Sequence, residues 1–350
     1  KALEDYEDGD GNGHNTAVGA SSQLNATTGE FNTSLGSSSM GSGVVTGDSN
    51  IAIGYYSGRT IAAGSENIFI GSYAGTATTT GIRNIAIGAE TLLTNVDGDG
   101  NIAIGFEALR TLEPDDGLNY NIAIGHQAGR LMSTGVENTI IGGLAGDALT
   151  TSGSNVLIGT KAGSSATIGN SNTAIGKEAM YTNVAADRNV AIGVQALYTM
   201  TAASTADTYN VAVGYQAGAG VTSGTKNVLV GGLAGDAITT GEYNIALGHN
   251  ALSTEDTGSR NVAIGFEALR DLNYDGAGYN VAMGWQAGLS MTTGVQNTVV
   301  GGLAGTKITI GNFNVALGVN ALSASVDGDH NTAVGYAALE DYEDGDGNGH

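Results

Sequence analysis

One string governs this chain: Asn-x-[small/apolar]-aliphatic-Gly occurs nineteen times, from Asn15 to Asn331. Fourteen of the eighteen intervals between those asparagines are 17 residues, and the others are 18 after Asn32, 20 after Asn101, 21 after Asn189 and 19 after Asn261. A period of that length decides the architecture before local propensity is considered. With Asn as column 1, column 5 is Gly in every unit, from Gly19 to Gly335, and column 4 is always aliphatic or Met, as in Ile53, Ile104 and Met283. Column 2 is Ile, Val or Thr, and column 8 is Ala in fifteen units. Column 9 is usually Leu or Gly, and column 15 is usually Gly after a β-branched run such as Ile238-Thr239-Thr240.

Columns 2 to 4 alternate with the period of a strand. The column 5 Gly supplies a positive-φ turn or a close backbone approach. Columns 11 to 14 read as a second strand, closed by the column 15 Gly. A unit this short cannot pack a domain, but it suits one coil of a solenoid, and no stripe long enough for a helix appears. The expected fold is all-β, a parallel β-solenoid (β-roll) of about 19 coils, each touching only its neighbours. At about 4.8 Å per coil it would form a rod ~90 Å long. Residues 1–14 read as the end of an extended coil ahead of the first full unit, and 15–350 as one continuous array with extended coils at 101–120, 189–209, 261–279 and 331–350.

Composition removes the competing readings. The 58 Gly are periodic but not at every third residue, which excludes collagen, and 41% hydrophobic residues argue against disorder. The absence of Cys excludes disulfides and thiolate-ligated metals. No apolar run approaches the ~18 residues of a membrane span. No signal peptide is read at the start, and Lys1 reads as the start of a processed product or an excised slice. A net charge of −22 disfavours nucleic acid and anionic membrane as partners and suits a soluble surface or cation binding.

The Asn column reads as a stacked ladder in which each amide bonds the next coil's amide or backbone. If columns 2 and 4 fill the coil, column 3 must point outward. Column 3 is never charged: it is Ala in thirteen units and large in most of the others. An uncharged stripe on an acidic rod implies a contact surface. The expected oligomer interface is therefore Ala52, Phe69, Ala86, Ala103, Ala123, Ile140, Leu157, Leu229 and Val299. Column 6 varies inversely with it, since Ile140, Leu229 and Val299 accompany Gly143, Gly232 and Gly302, whereas bulky Phe106, Tyr215, Phe266 and Trp285 accompany Ala. That suggests volume compensation at one packed site.

Stretches such as Asn261-Val262-Ala263-Ile264-Gly265-Phe266-Glu267-Ala268-Leu269 and Asn331-Thr332-Ala333-Val334-Gly335-Tyr336-Ala337-Ala338-Leu339 resemble the head repeat of trimeric autotransporter adhesins. They resemble still more the 17-residue Asn-Thr-Ala-Val-Gly-type repeats of phage tail-fibre and bacterial surface-fibre proteins. The resemblance covers essentially the whole chain. It implies a left-handed roll, usually homotrimeric, serving as adhesin head or fibre shaft. The chain departs from the adhesin pattern in its longer coil and three extended units, and it shows no neck, coiled-coil stalk or anchor.

Residues 2–14 reappear identically at 338–350, which reads as one period of a longer tandem array. The three internal extended units end in Tyr120, Tyr209 and Tyr279, and each is followed by a Gln-Ala-Gly unit and then by Gly-Gly-Leu-Ala-Gly. Loops on a rigid scaffold are common binding sites, and solenoids also tolerate insertions. Two readings of the acidic turns stay open: calcium held by Asp8, Asp10 and Asn12 and by Asp344, Asp346 and Asn348, or solvated turns. Asp97-Asp99-Asn101 and Asp327-Asp329-Asn331 are weaker echoes. Phe106, Tyr215, Phe266 and Trp285 are candidate glycan contacts, against packing between chains. His14, His126, His249, His330 and His350 form no metal or catalytic spacing.

The functional expectation is a structural and adhesive extracellular fibre segment, on a cell surface or a virion. It has no catalysis and no cofactor, calcium apart. Its partners are itself and a surface receptor or glycan, with neither nucleic acid nor membrane insertion. The alternatives are a solenoid that binds glycan or ice, and a tailspike-type depolymerase.

Overall fold

The computed structural model describes residues 13–113, 117–167, 169–202 and 206–342. It is an all-strand parallel β-solenoid of about 18 turns with a repeat near 17 residues. The chain divides into two compact units, 1–171 and 172–350.

In the first unit, three-residue strands run from Thr16–Val18 through Ile51–Ile53 and Ile68–Ile70 to Val156–Ile158. Each pairs in parallel with the equivalent strand of the next coil, as Ile51 with Ile68, Ala52 with Phe69 and Ile53 with Ile70. The second unit repeats the pattern from Thr173–Ile175 to Thr332–Val334, with Ala263 opposite Ala282 and Ala282 opposite Val299. The register steps by one repeat each time, so every column stacks on itself.

Among the described residues the expected second strand at columns 11 to 14 does not form. Those columns run as a bend in which one carbonyl serves several donors: Ala62 and Gly64 both donate to Thr79 O, at 2.9 and 3.0 Å. A carbonyl spent on two N–H groups of one coil cannot sustain the regular alternation of a ladder. Only short pairings occur on that side, such as Gly98–Asp99 with Gly117–Leu118.

The strand faces are the reverse of the sequence expectation. Column 3 points inward: Ala52, Phe69, Ala86, Ala103, Ala123, Ile140, Leu229 and Val299 are fully buried within the chain, and Leu157 is 3% exposed. None of these nine lies on a surface of the chain. Columns 2 and 4 take the outer face, half-buried in most coils. The reason is width. Each interior is filled from columns 1, 3, 8, 9 and 12, as by Asn101, Ala103, Ala108, Leu109 and Leu112, all at zero exposure. A cross-section of that size holds Ala, not Ile, at two of five positions.

Volume compensation exists, but its partner is column 9. Coils with Ala at column 3 and Leu at column 9 fill themselves. Where column 9 is Gly, a large column 3 side chain takes the space, and one side chain serves two coils. The Phe69 ring lies where a Cβ on either Gly58 or Gly75 would go, within 2.9 and 2.6 Å. Leu229 fills Gly218 and Gly235 in the same way, within 2.7 Å of each.

The turns demand unusual backbone. Column 5 Gly54 has φ +134°, and a Cβ there would sit 2.6 Å from Gly71 O in the next coil. Columns 7, 9 and 17 are also left-handed even where they are not Gly, as at Glu107 (φ 55°), Leu109 (φ 47°) and Arg83 (φ 57°).

Candidate functional site

The outer strand face is uncharged and mostly aliphatic, with Thr at column 2 in the coils of Thr16, Thr33, Thr139, Thr173, Thr298 and Thr332. It carries Ile68, Ile70, Ile85, Ile87, Ile102 and Ile104 in the first unit and their Val, Leu and Met equivalents in the second. Exposure is 38% at Ile192, 41% at Met283 and 47% at Leu35, and rises to 66% at Val334. A contiguous apolar face two side chains wide is larger than soluble surfaces usually leave uncovered.

Column 6 lies on the turn after this face, and its rings stack from coil to coil. His249 stacks on Phe266 at 5.8 Å and Phe266 on Trp285 at 6.2 Å, with interplanar angles of 12° and 9°. Phe106 stacks on His126 at 5.5 Å. Of the four expected glycan contacts, Phe106 and Phe266 thus lie within stacks, Trp285 ends one, and Tyr215 stands alone at 56% exposure. Near the start of the first unit Tyr55 and Tyr56 stack at 4.0 Å, and the hydrogen bond between them is the main reason that the Tyr55 hydroxyl is pushed up to about 12.

Column 7 forms short amide ladders beside the rings. Gln127 Nε2 donates to Glu107 Oε2 at 2.7 Å, and Gln286 Nε2 to Glu267 Oε2 at 2.8 Å. Gln216 Nε2 donates to Gln195 Oε1 at 2.7 Å, and Gln195 Nε2 to Glu178 Oε2 at 2.9 Å. A carboxylate can only accept, so each ladder has a fixed sense.

Column 17 carries Tyr120, Tyr209 and Tyr279, which close the extended coils at 55%, 47% and 54% exposure. In the second unit tyrosines there alternate with bases. Arg188 lies over Tyr209 at 5.9 Å, Lys226 over Tyr243 at 4.8 Å, and Arg260 over both Tyr243 (5.4 Å) and Tyr279 (5.8 Å). Acids flank these bases: Arg188 pairs with Asp207, and Glu242 stands beside Lys226. The stripe is close to neutral.

The acidic echoes are used as backbone caps. Asp99 Oδ1 accepts from Ile82 N at 2.7 Å, and Asp329 Oδ1 from Asn312 N at 2.6 Å and Nδ2 at 3.2 Å. Among the described residues no group of three His, Cys, Asp or Glu could hold a metal. Asp8, Asp10, Asn12, Asp344, Asp346 and Asn348 lie outside the described residues.

Sequence reasoning missed column 12. It is apolar in most coils, yet the coil ahead of each extended unit has Asn95, Asn183, Glu255 or Ser325 there, all buried. Gly258 N donates to Glu255 Oε1 at 2.7 Å and Ala186 N to Asn183 Oδ1 at 2.9 Å. In ordinary coils the same column 15 N–H reaches the next coil, as Gly224 N does Thr239 O at 3.1 Å. Ahead of the extended coils at Asn189 and Asn261 a side chain thus takes the place of that carbonyl, whereas Asn95 instead donates from Nδ2 to Gly98 O at 2.9 Å. The Glu255 carboxyl is pushed up to about 7, first by burial away from water, against the lowering pull of the Gly258 and Tyr274 N–H groups. Aligning the columns and asking which polar residues precede an insertion would have found all four.

Neither a protein-family model nor a curated protein matches the chain. No helix among the described residues is long and apolar enough to cross a membrane.

Proposed function

We propose that this chain is a structural and adhesive segment of an extracellular fibre, displayed on a cell surface or virion. In this reading it associates with identical copies, is not an enzyme, and presents its turns for attachment. The observation that carries the reading is the uncharged, mostly aliphatic face of columns 2 and 4, on a chain of net charge −22. An apolar sheet face on so acidic a molecule is best covered by a second copy of itself, since that face carries no charge to repel the copy. The recurrence of residues 2–14 at 338–350 supports tandem extension, as a fibre requires. A left-handed homotrimer is the arrangement that the resemblance to adhesin heads and tail-fibre repeats implies.

Sedimentation equilibrium tests it. The wild-type chain is expected to run as a stable oligomer with the mass of a trimer. Ile70→Lys combined with Ile87→Lys, both outward on neighbouring coils, should yield a folded monomer. A wild-type monomer at micromolar concentration would sink the reading.

A further inference from the structure

The column 6 glycines are not required by the fold. Gly143, Gly232 and Gly302 have no positive φ. A Cβ on Gly143 or Gly302 would meet nothing within 4 Å, and one on Gly232 would meet only the edge of the His249 ring, at 3.3 Å. That contrasts with column 5, where Cβ atoms would strike the next coil's carbonyl. Nor do these glycines compensate for Ile140, Leu229 and Val299, which are inside while column 6 is outside. Yet each follows directly on a bulky ring in the preceding coil: His126, Tyr215 and Trp285.

The result is a notch. The far faces of His126 and Trp285, whose near faces stack on Phe106 and Phe266, look across a coil with no side chain toward Thr160 and Val319, two coils on, whereas the His249 ring already lies against the Gly232 position beside Tyr215. Two coils of about 4.8 Å set the walls ~10 Å apart. Removing a carbon–carbon contact distance of about 4 Å leaves ~6 Å clear. That gap is loose for a flat aromatic ring and suits one puckered six-membered ring lying face-on to the aromatic wall.

A second observation points to the same ligand. Each of these ring-bearing coils has a Gln at column 7: Gln127, Gln216 and Gln286. In all three the Nε2 is committed to the preceding coil. The carbonyl Oε1 is therefore turned away from that coil, toward the glycine coil. The next residue in that column is Leu144, Leu233 or Leu303, which has no donor to offer. An unspent acceptor thus stands beside an open ring face twice, at Gln127 and at Gln286. The chain's charge of −22 repels an anionic ligand.

We infer that the two open notches, at His126/Gln127/Gly143 and Trp285/Gln286/Gly302, are equivalent subsites for one neutral hexopyranose each. The C–H face of the sugar packs on the ring and a hydroxyl donates to the Gln Oε1. The inference rests on the adhesive part of the proposed function and gives it a ligand class. Sedimentation tests the association and a sugar titration tests the notch, so either can fail alone.

Trp285 is the sole tryptophan of the chain and reports on one notch directly. Its emission is to be followed while the full chain is titrated with neutral oligomers of glucose, galactose, mannose and N-acetylglucosamine, and with oligogalacturonate as the anionic probe. The expected result is a saturable shift with at least one neutral oligomer at millimolar concentration, and none with oligogalacturonate. Gly302→Leu fills the notch without backbone strain. It should abolish the shift while leaving the circular dichroism and Tm unchanged. Gln286→Leu should weaken binding about tenfold. Three results would overturn the assignment: no saturable shift with any neutral oligomer, a shift that survives both substitutions, or one that oligogalacturonate produces equally. Emission that moves with protein concentration alone would place a second chain in the slot and overturn it as well.

Discussion

Asn67 shows why column 1 tolerates no other residue. Its Nδ2 donates to Asn50 Oδ1 at 3.0 Å and to Gly81 O at 2.8 Å, its N–H to Asn50 Oδ1 at 3.1 Å, and its Oδ1 accepts from Asn84 N at 2.9 Å. All of this is buried, so Asn67→Ala strands a donor and acceptors away from water, at roughly 1–3 kcal/mol each. Chemical denaturation of Asn67→Ala should show a loss of about 3 kcal/mol or more, and a loss under 1 kcal/mol would contradict the ladder. This ladder was legible in the sequence, because a polar residue fixed among apolar columns in every coil has few other uses. The left-handed residues at columns 7, 9 and 17 were not. Leu, Glu and Tyr are poor residues for positive φ, at about 1 kcal/mol or more each, and only the stacked turns hold them there.

At the scale of the coil, the repeat, its parallel register and the column 5 turn could be read directly. The facing of the strand could not. A period of two gives alternation but not phase, and here both phases are apolar: Ala on one side, Ile and Val on the other. The deciding information was volume, visible in the exchange of Leu and Gly at column 9 against Ala and Phe69 or Leu229 at column 3. The coil is also where Glu255 acts. Its carboxyl titrates at about 7 when folded, against 4.5 ordinarily. The stability it contributes is full below about pH 4.5 and is lost as the pH rises through about 7, by at most about 3 kcal/mol. Glu255→Gln, an uncharged amide at every pH, should remove that dependence. The wild-type and variant unfolding free energies should therefore converge toward pH 4 and separate toward pH 8, the variant being the more stable. Parallel pH profiles would refute the assignment.

At the scale of the molecule, stability is a sum over neighbouring coils, but the unit of exchange is not always one coil. Leu229 fills the glycine space of its own coil and of the one before. Deleting residues 227–243 should therefore leave Gly218 facing a void and lower the Tm by several degrees. Deleting 210–243 removes Leu229 together with both glycines, and this larger deletion should cost less. The reverse order would show that interior volume is not shared in this way. The extended coils were legible as insertions, while the buried polar residues that prepare for them, Asn95, Asn183, Glu255 and Ser325, differ in type and so did not stand out as one recurring signal in column 12. The asparagine amides carry a last consequence. Among the described residues the side-chain carbonyls of the column accept from the following coil, as Asn67 Oδ1 does from Asn84 N and Asn297 Oδ1 from Asn314 N, so the amide dipoles add in one sense within each unit. Its two ends are chemically unlike, one offering hydrogens and the other lone pairs. Segments of this kind can therefore be spliced end to end only with the same polarity.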